Sequence, residues 1–172
     1  MTDTSTGPTP LDEDTIAFAG KVFQLARLGH APELDELLAA GLPANLTNDK
    51  GDTLLMLAAY HGHVDAVRAL MARGADPARA NDRGQVPLTA AAFKGHGAAV
   101  TAMLDTGAPV DGAGPDGRTA LMTAAMFDRT AMIDLLLSRG ADASARDAAG
   151  LTARDLADRM GATAAADRLA KP

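Results

Sequence analysis

The stretch from Asn48 to Asn81, NDKGDTLLMLAAYHGHVDAVRALMARGADPARAN, is the unit from which this chain of 172 residues is built. Its features return every 33 residues in three separate columns of aligned positions. The columns are Gly51, Gly84, Gly117 and Gly150; Gly41, Gly74, Gly107 and Gly140; and Leu37, Leu70, Met103, Leu136 and Leu169. A fixed period of this length indicates a protein made of stacked structural repeats.

Each unit has the pattern of a turn, a short helix, a tight glycine turn and a second helix. Apolar residues of the second helix align between units: Val67, Val100 and Ile133; Leu70, Met103 and Leu136; Met71, Leu104 and Leu137. Because no single unit can bury such a face, the units are expected to stack. Glycines after each helix are expected at φ > 0, with Asp128 in place of one of them.

The composition excludes several classes of protein. The net charge is −6 and the pI about 5.0, with basic residues scattered, which argues against nucleic-acid binding. There is no cysteine, so no disulfide framework is possible. No apolar run reaches membrane-spanning length, and residues 1–10 lack the features of a secretory signal. A cytoplasmic protein without membrane contact is expected, and the Ala, Arg, Gly and Asp bias suggests a bacterial source.

No set of residues in the sequence predicts catalysis, a cofactor or a metal site. A nucleophile with a base and an orienting group is missing, as are a phosphate-binding glycine loop and zinc-ligand spacing. His30, His63 and His96 recur because the unit recurs, and one repeat spacing of about 10 Å is too long for shared coordination. His61 and His63 flank a glycine, which indicates a structural turn rather than a metal site.

The recurring residues resemble the repeat of the ankyrin family, which reads roughly D-x-x-G-x-T-P-L-H-x-A-A-x-x-G-H and continues with a second helix and G-A-D. The matching segments are GDTLLM and AAYHGH at residues 51–56 and 58–63, GQVPLT and AAFKGH at 84–89 and 91–96, and GRTALM and AAMF at 117–122 and 124–127. The resemblance covers about residues 15–170 and implies an all-α ankyrin-repeat solenoid with capping units at both ends.

The chain departs from the family at the last position of the T-P-L-H box. Met56, Thr89, Met122 and Asp155 stand where the family has histidine. The hydrogen bond that the family's histidine makes to the box threonine is therefore missing. The threonines at 53, 119 and 152 need other partners, and the methionines of the box are expected to fill the core.

The predicted organisation is one domain. It consists of a flexible tail at 1–11, an N-terminal capping repeat at 12–47, repeats at 48–80, 81–113 and 114–146, and a C-terminal capping repeat at 147–172. The first helix is expected from Ile16 to Leu28, with Asp14 or Thr15 as its N-cap. Capping units at both ends lead us to expect a complete array.

The resemblance implies that a partner protein binds in a concave groove formed by the loop tips and the exposed face of each first helix. On the first helices, it implies Leu28, Tyr60, His61, Phe93, Lys94, Met126 and Phe127. At the loop tips, it implies Lys50, Asp52, Arg83, Gln85 and Arg118. Because the tips carry both signs of charge, the groove is not expected to be a simple trap for anions or cations.

Three of the five aromatic residues of the chain, Tyr60, Phe93 and Phe127, occupy these groove positions. Large apolar groups exposed in a row suggest an interface, and aromatic residues are enriched in interface cores. The alternative is that Phe93 and Phe127 lean on the neighbouring repeat and cover thin, alanine-rich packing.

We therefore predict a monomeric, non-catalytic adaptor or regulator that binds a protein partner and needs no cofactor. Two alternatives stay open at this point: a dedicated protector or inhibitor of one bacterial enzyme, and a secreted effector. Neither leaves a distinguishing feature in the sequence, because the repeat scaffold is generic and recognition is local.

Overall fold

The computed structural model describes residues 12–170, which form ten helices and no extended strand. The helices are α1 (Glu13–Leu28), α2 (Ala31–Ala39), α3 (Leu54–His61), α4 (Val64–Ala72), α5 (Pro87–Lys94), α6 (Gly97–Asp105), α7 (Ala120–Met126), α8 (Thr130–Ser138), α9 (Ala153–Met160) and α10 (Thr163–Leu169). The tail predicted at 1–11 lies outside the described residues.

The helices form two layers of successive hairpins. The first helices stack in order, with α1 on α3, α3 on α5, α5 on α7 and α7 on α9. The second helices pack beside them, with α2 on α4, α4 on α6 and α8 on α10. Each first helix also contacts the second helix of its own hairpin. The prediction of an all-α repeat solenoid is confirmed, while the unit boundaries given above stay a prediction.

The core lies between the hairpins and is rich in alanine. The columns that begin with Val67 and Leu70 are fully buried in all three regular units. Met56 and Met122 are 3% and 1% exposed, so they fill the core as predicted. Alanines such as Ala58 and Ala91 are also fully buried, and their small side chains let neighbouring first helices approach closely.

The starts of the first helices account for the box threonines. Thr53 and Thr119 are N-caps whose hydroxyls accept hydrogen bonds from the backbone N–H of Met56 and Met122, at 3.0 and 3.3 Å. Thr152 donates to the Asp155 carboxylate at 2.8 Å. These bonds replace the missing histidine contact, since no buried side-chain polar atom within residues 12–170 is left unpartnered.

The first helix begins earlier than its apolar pattern suggests. It starts at Glu13, and Asp12 is the N-cap, because its carboxylate accepts the backbone N–H of Thr15 at 2.7 Å. The expected caps Asp14 and Thr15 are wrong. Both residues lie inside the first turn, where the carboxylate of Asp14 still favours the positive end of the helix dipole.

The turn after each first helix requires a left-handed residue, and the turns at Gly29 and Gly62 also pack closely against the next unit. Gly62 has φ of 78°, and a Cβ there would lie 2.8 Å from the His96 ring of the next unit. His63 and His96 therefore have a structural role, because each ring packs against the glycine turn of the preceding unit. Asp128 takes the same turn with φ of 54°, as predicted, and its carboxylate accepts the backbone N–H of Ala165 at 2.7 Å.

The loops that precede the first helices are tied to one another. In the first, the Asn48 side-chain oxygen accepts the N–H groups of Lys50 and Asp52, both at 2.9 Å. Asn81 repeats this arrangement one unit later and also donates its side-chain amide to the Asp52 carboxylate at 2.7 Å. The buried Asn81–Asp52 bond therefore joins two units through side chains alone.

At the third loop, glycine replaces asparagine because the backbones approach too closely. A Cβ on Gly114 would lie 1.7 Å from the carbonyl oxygen of Gly84, an atom that cannot move without shifting the neighbouring loop. By contrast, a Cβ on Gly20, within α1, would meet no atom within 4 Å.

We expect Gly114→Ala to lower the free energy of unfolding by about 3 kcal/mol, because the methyl group overlaps backbone. The matched change Gly20→Ala should raise it by about 1 kcal/mol, since alanine is the better helix former at an open position. Chemical denaturation followed by circular dichroism measures both. Equal small effects at the two sites would show that the loops are not in contact.

We expect Asp52→Ala to cost about 1–3 kcal/mol of stability, because it leaves the buried amide of Asn81 without an acceptor. Asp52→Asn, which keeps one oxygen acceptor, should cost less. Asp49→Ala, an exposed carboxylate in the same loop, should change stability by about 0.5 kcal/mol or less. The same unfolding measurement tests all three, and equal losses for Asp52→Ala and Asp49→Ala would contradict the inter-unit bond.

Candidate functional site

Two adjoining hollows lie between the loops and the first helices, and together we call them the loop-side groove. The first, of about 310 Å³, runs from α1 to α5. We call it the basic hollow because its charged lining has three cations, Arg27, Lys50 and Arg83, and two carboxylates, Asp49 and Asp52. The second, of about 230 Å³, lies between α5 and α7, and we call it the aromatic hollow because Phe93 and Phe127 line it. Arg83 and Gln85 line both hollows, so the groove is continuous.

The groove side chains project from the ends of short helices. Tyr60 and His61 are the last residues before the left-handed C-cap Gly62, and Phe93 and Lys94 precede Gly95 in the same way. At α7 the helix ends at Met126, and Phe127 itself is the C-cap. Since the turn must reverse the chain at this point, the preceding side chains are left outside the core.

The aromatic pair joins two units and yet remains accessible. The rings of Phe93 and Phe127 meet edge to face, with centroids 4.7 Å apart and an interplanar angle of 78°. Phe93 is partly buried, but Phe127 is 44% exposed. The rings therefore pack on each other across units, as the packing alternative expects, while one of them still faces solvent.

A second aromatic cluster stands at the other end of the groove. The Lys94 ammonium lies 5.2 Å from the centroid of the Tyr60 ring, within range of a cation–π contact. The Tyr60 and His61 rings meet edge to face at 5.2 Å. Lys94 and Tyr60 belong to different units, so this contact mirrors the Phe93–Phe127 pair.

The surroundings of His61 show a local excess of positive charge. Partial burial lowers the pKa of His61 most, and the neighbouring charges of His63, Arg27, Lys94 and His96 lower it further. All four of these neighbours act in the same direction because each disfavours a second cation nearby.

The charges at the loop tips differ from the simple mixture expected. Asp52 lines the basic hollow, but it is only 7% exposed and its carboxylate is hydrogen-bonded to Asn48 and Asn81. The carboxylate therefore joins the loops, and a contact between Asp52 and a partner stays a prediction. Asp116 lies 3.7 Å from Arg118 in the third loop.

The structure brings most of the predicted contact residues together. The aromatic hollow gathers Arg83, Gln85, Phe93, Arg118, Met126 and Phe127, and the basic hollow gathers Lys50, Tyr60 and His61. Lys94 reaches Tyr60 from the next unit. Leu28, although 56% exposed at the end of α1, lines neither hollow.

Arg27 is absent from the contact residues predicted above, although it belongs to the groove. It lines the basic hollow, and its backbone carbonyl accepts a hydrogen bond from the His63 ring at 2.8 Å. The signal was present, because Arg27 lies 33 residues before Tyr60 and thus in the same column. Thr89 and Thr123, which line the aromatic hollow, carried no such signal.

A separate hollow of about 360 Å³ opens between α6 and α8, where the second helices make little contact. Met132 and Leu135 stand where the preceding units have alanine, and Leu135 approaches Gly97, which has no side chain. Larger side chains on α8 therefore coincide with a wider gap between the two helices.

Metal-binding clusters and membrane-spanning helices are both absent from residues 12–170. No three His, Asp or Glu side chains there come close enough together to hold a metal ion. In the same range, the helices are all too short or too polar to cross a bilayer.

Comparison with known proteins agrees with the architecture. The family model described as ankyrin repeats (3 copies) matches residues 22–113 and 72–147. A curated protein of Pseudomonas aeruginosa, named as an ankyrin repeat protein, is 53% identical over 62 residues. That match covers 36% of this chain and 34% of the relative's length. The relative is bacterial, in agreement with the source suggested by composition. With the family's repeats matched over most of its length and its helices stacked as hairpins, the chain belongs to the ankyrin-repeat family.

Proposed function

We propose that this protein is a non-catalytic adaptor or regulator that binds a segment of a partner protein in the loop-side groove. Ankyrin repeats generally mediate protein–protein interaction, and the family is generally a non-catalytic module. The proposal assigns that role to one surface of this chain. A cytoplasmic, monomeric protein is part of the same proposal.

The observation that carries the proposal is the exposed aromatic pair in the aromatic hollow. Phe127 is 44% exposed although the core beneath it is complete without it, as the full burial of Ala124 and Ala125 indicates. Covering an exposed phenylalanine with a partner removes apolar surface from water, which favours binding. Aromatic residues in partly enclosed pockets are also the usual centres of binding energy.

The shape of the groove favours a protruding segment over a flat surface. The two hollows have volumes of about 310 and 230 Å³, enough for side chains of a single strand or loop. They adjoin along the row of loops, so one extended segment can contact both. Because the rings already pack on each other, little side-chain entropy is lost on binding.

The adaptor role and the protector or inhibitor role use the same groove and differ only in what the bound partner does. A secreted effector would use it as well. Affinity purification from the native organism, followed by mass spectrometry and an activity assay of the captured protein, discriminates these roles. Detection of the protein in the culture medium would favour the effector role.

We expect Phe127→Ala and Phe93→Ala to weaken binding of the captured partner by about tenfold or more each, as is typical of residues at the centre of an interface. Calorimetric titration measures the affinity. Phe18→Ala is the matched control, because Phe18 is 47% exposed on α1 and lies outside the groove.

The stability of the same variants separates binding from packing. Phe127→Ala should change the free energy of unfolding by about 1 kcal/mol or less, because much of the ring is already in water. Unchanged affinity together with a large loss of stability would mean that the pair only packs, and the proposed site would then be wrong.

A further inference from the structure

We infer that the segment bound in the loop-side groove is an extended acidic peptide, with its carboxylates in the basic hollow and one large apolar side chain in the aromatic hollow about three residues away. This inference rests on the proposed function, since it names the chemistry of the partner at the same site. It follows from the difference between the two hollows, because Arg27 and Lys50 line only the basic hollow, while Phe93, Met126 and Phe127 line only the aromatic hollow.

The basic hollow offers cations that have no ion-pair partner within residues 12–170. Arg27, Lys50 and Arg83 line the hollow, and Lys94 stands beside it on the Tyr60 ring. Elsewhere in the protein, basic side chains near carboxylates pair across units. Arg73 binds Asp35 and Arg139 binds Asp105, both at 2.7 Å. The groove cations are thus available to an external anion.

The carboxylates facing the basic hollow are fewer than its cations. Asp49 is exposed at the loop tip, and the buried Asp52 is held by amide donors of the loops. Asp82, on the next loop, does not line the hollow. The lining therefore carries an excess of positive charge within a chain whose net charge is −6.

That contrast gives the groove its selectivity. An acidic segment is repelled by the rest of an acidic protein and attracted only where the cations outnumber the carboxylates, so charge sets its register in the groove. A basic segment would meet Lys50 and Arg83 at the groove and gain nothing there. Complementary charge also speeds the encounter of the two proteins.

The apolar anchor belongs at the other end of the groove. Phe93, Met126 and Phe127 gather at the aromatic hollow, where the one nearby carboxylate, Asp116, lies close to Arg118. A leucine, methionine or phenylalanine side chain seated there would cover the exposed edge of Phe127. Aliphatic and aromatic anchors of this kind supply most of the affinity in small interfaces.

The spacing follows from the repeat. The loop that carries Arg83 and the helix that ends before Phe127 belong to successive units, and packed helices lie about 10 Å apart. An extended chain advances about 3.3 Å per residue, so about three residues separate the two anchors. A helical peptide would advance only about 1.5 Å per residue and would need about seven.

The test uses synthetic fluorescent peptides and the full chain. The probe carries a cluster of glutamates, a short glycine–serine spacer of about three residues and one phenylalanine, as the geometry requires. Its controls replace glutamate by lysine, phenylalanine by serine, or shorten the spacer to none. Fluorescence anisotropy should show the probe binding about tenfold or more tightly than each control, and affinity should fall as salt rises.

Charge reversal in the protein gives the matched comparison. Arg83→Glu and Lys50→Glu should each weaken the affinity for the probe by about tenfold or more, because a carboxylate that repels the probe replaces a cation. Arg68→Glu makes the same change on the exposed side of α4 and should leave affinity nearly unaltered. Thermal unfolding confirms that all three variants fold.

His61 offers a readout that apolar packing alone would not move. Titration followed by proton NMR of the imidazole gives its pKa in the free protein, where partial burial and then the neighbouring cations hold that pKa below its usual range. Binding of the glutamate probe should raise the pKa of His61, because an anion stabilises the protonated ring. By linkage, the probe should then bind more tightly as pH falls through that range.

Several outcomes would overturn the inference. They are equal affinity for the lysine peptide, no response to Arg83→Glu, or tighter binding of a single-stranded oligonucleotide of the same net charge. If binding of a captured partner depends on Phe127 but is unaffected by the charge reversals and by salt, the inference of an acidic peptide is wrong while the proposed function stands. A partner that ignores both Phe127→Ala and the charge reversals would remove both.

Discussion

The structure depends on the mutual burial of apolar faces between successive helix hairpins. Neither helix of a hairpin can hide its own stripe, so the columns beginning with Val67 and Leu70 become solvent-free only when the next unit arrives. The close approach requires alanine between the first helices and a left-handed turn residue before each second helix. The same approach brings Gly84 and Gly114 into backbone contact and leaves no room for a side chain there.

Stacking along one direction also decides where function can lie. Each unit buries its apolar residues against its two neighbours, whereas no unit covers the surface that faces the loops. A large apolar side chain at that surface is not needed for packing between units. For this reason the exposed Phe127 suggests a binding role, whereas the buried Leu136 only stabilises the core. The histidine column shows the converse, because His96 looks like a candidate ligand in sequence but packs against Gly62.

The structural features that recur in every unit could be predicted from the sequence. Most features that occur in one unit alone could not be predicted. The period located the helices, the left-handed turns including Asp128, and the buried methionines of the box. It could not show that Asp52 is buried, because that depends on an amide 29 residues away at Asn81. The Asp12 cap was missed because an apolar pattern marks the buried face of a helix and not its first turn.

The sign of the net charge of the groove lining is the clearest example of a property that no single residue determines. At the tips, the first loop has Lys50 and then Asp52, while the third has Asp116 and then Arg118, so a reading of the columns gives cancelling charge. In the structure the two carboxylates have different partners. Asp52 is drawn inward by an asparagine, and Asp116 lies close to an arginine of its own loop. The loops also differ in residue type, because asparagine begins the first loop and glycine begins the third. Because the scaffold fixes position but leaves these side chains free to vary, the character of the groove is set by which charges find partners within the protein and which are left for another.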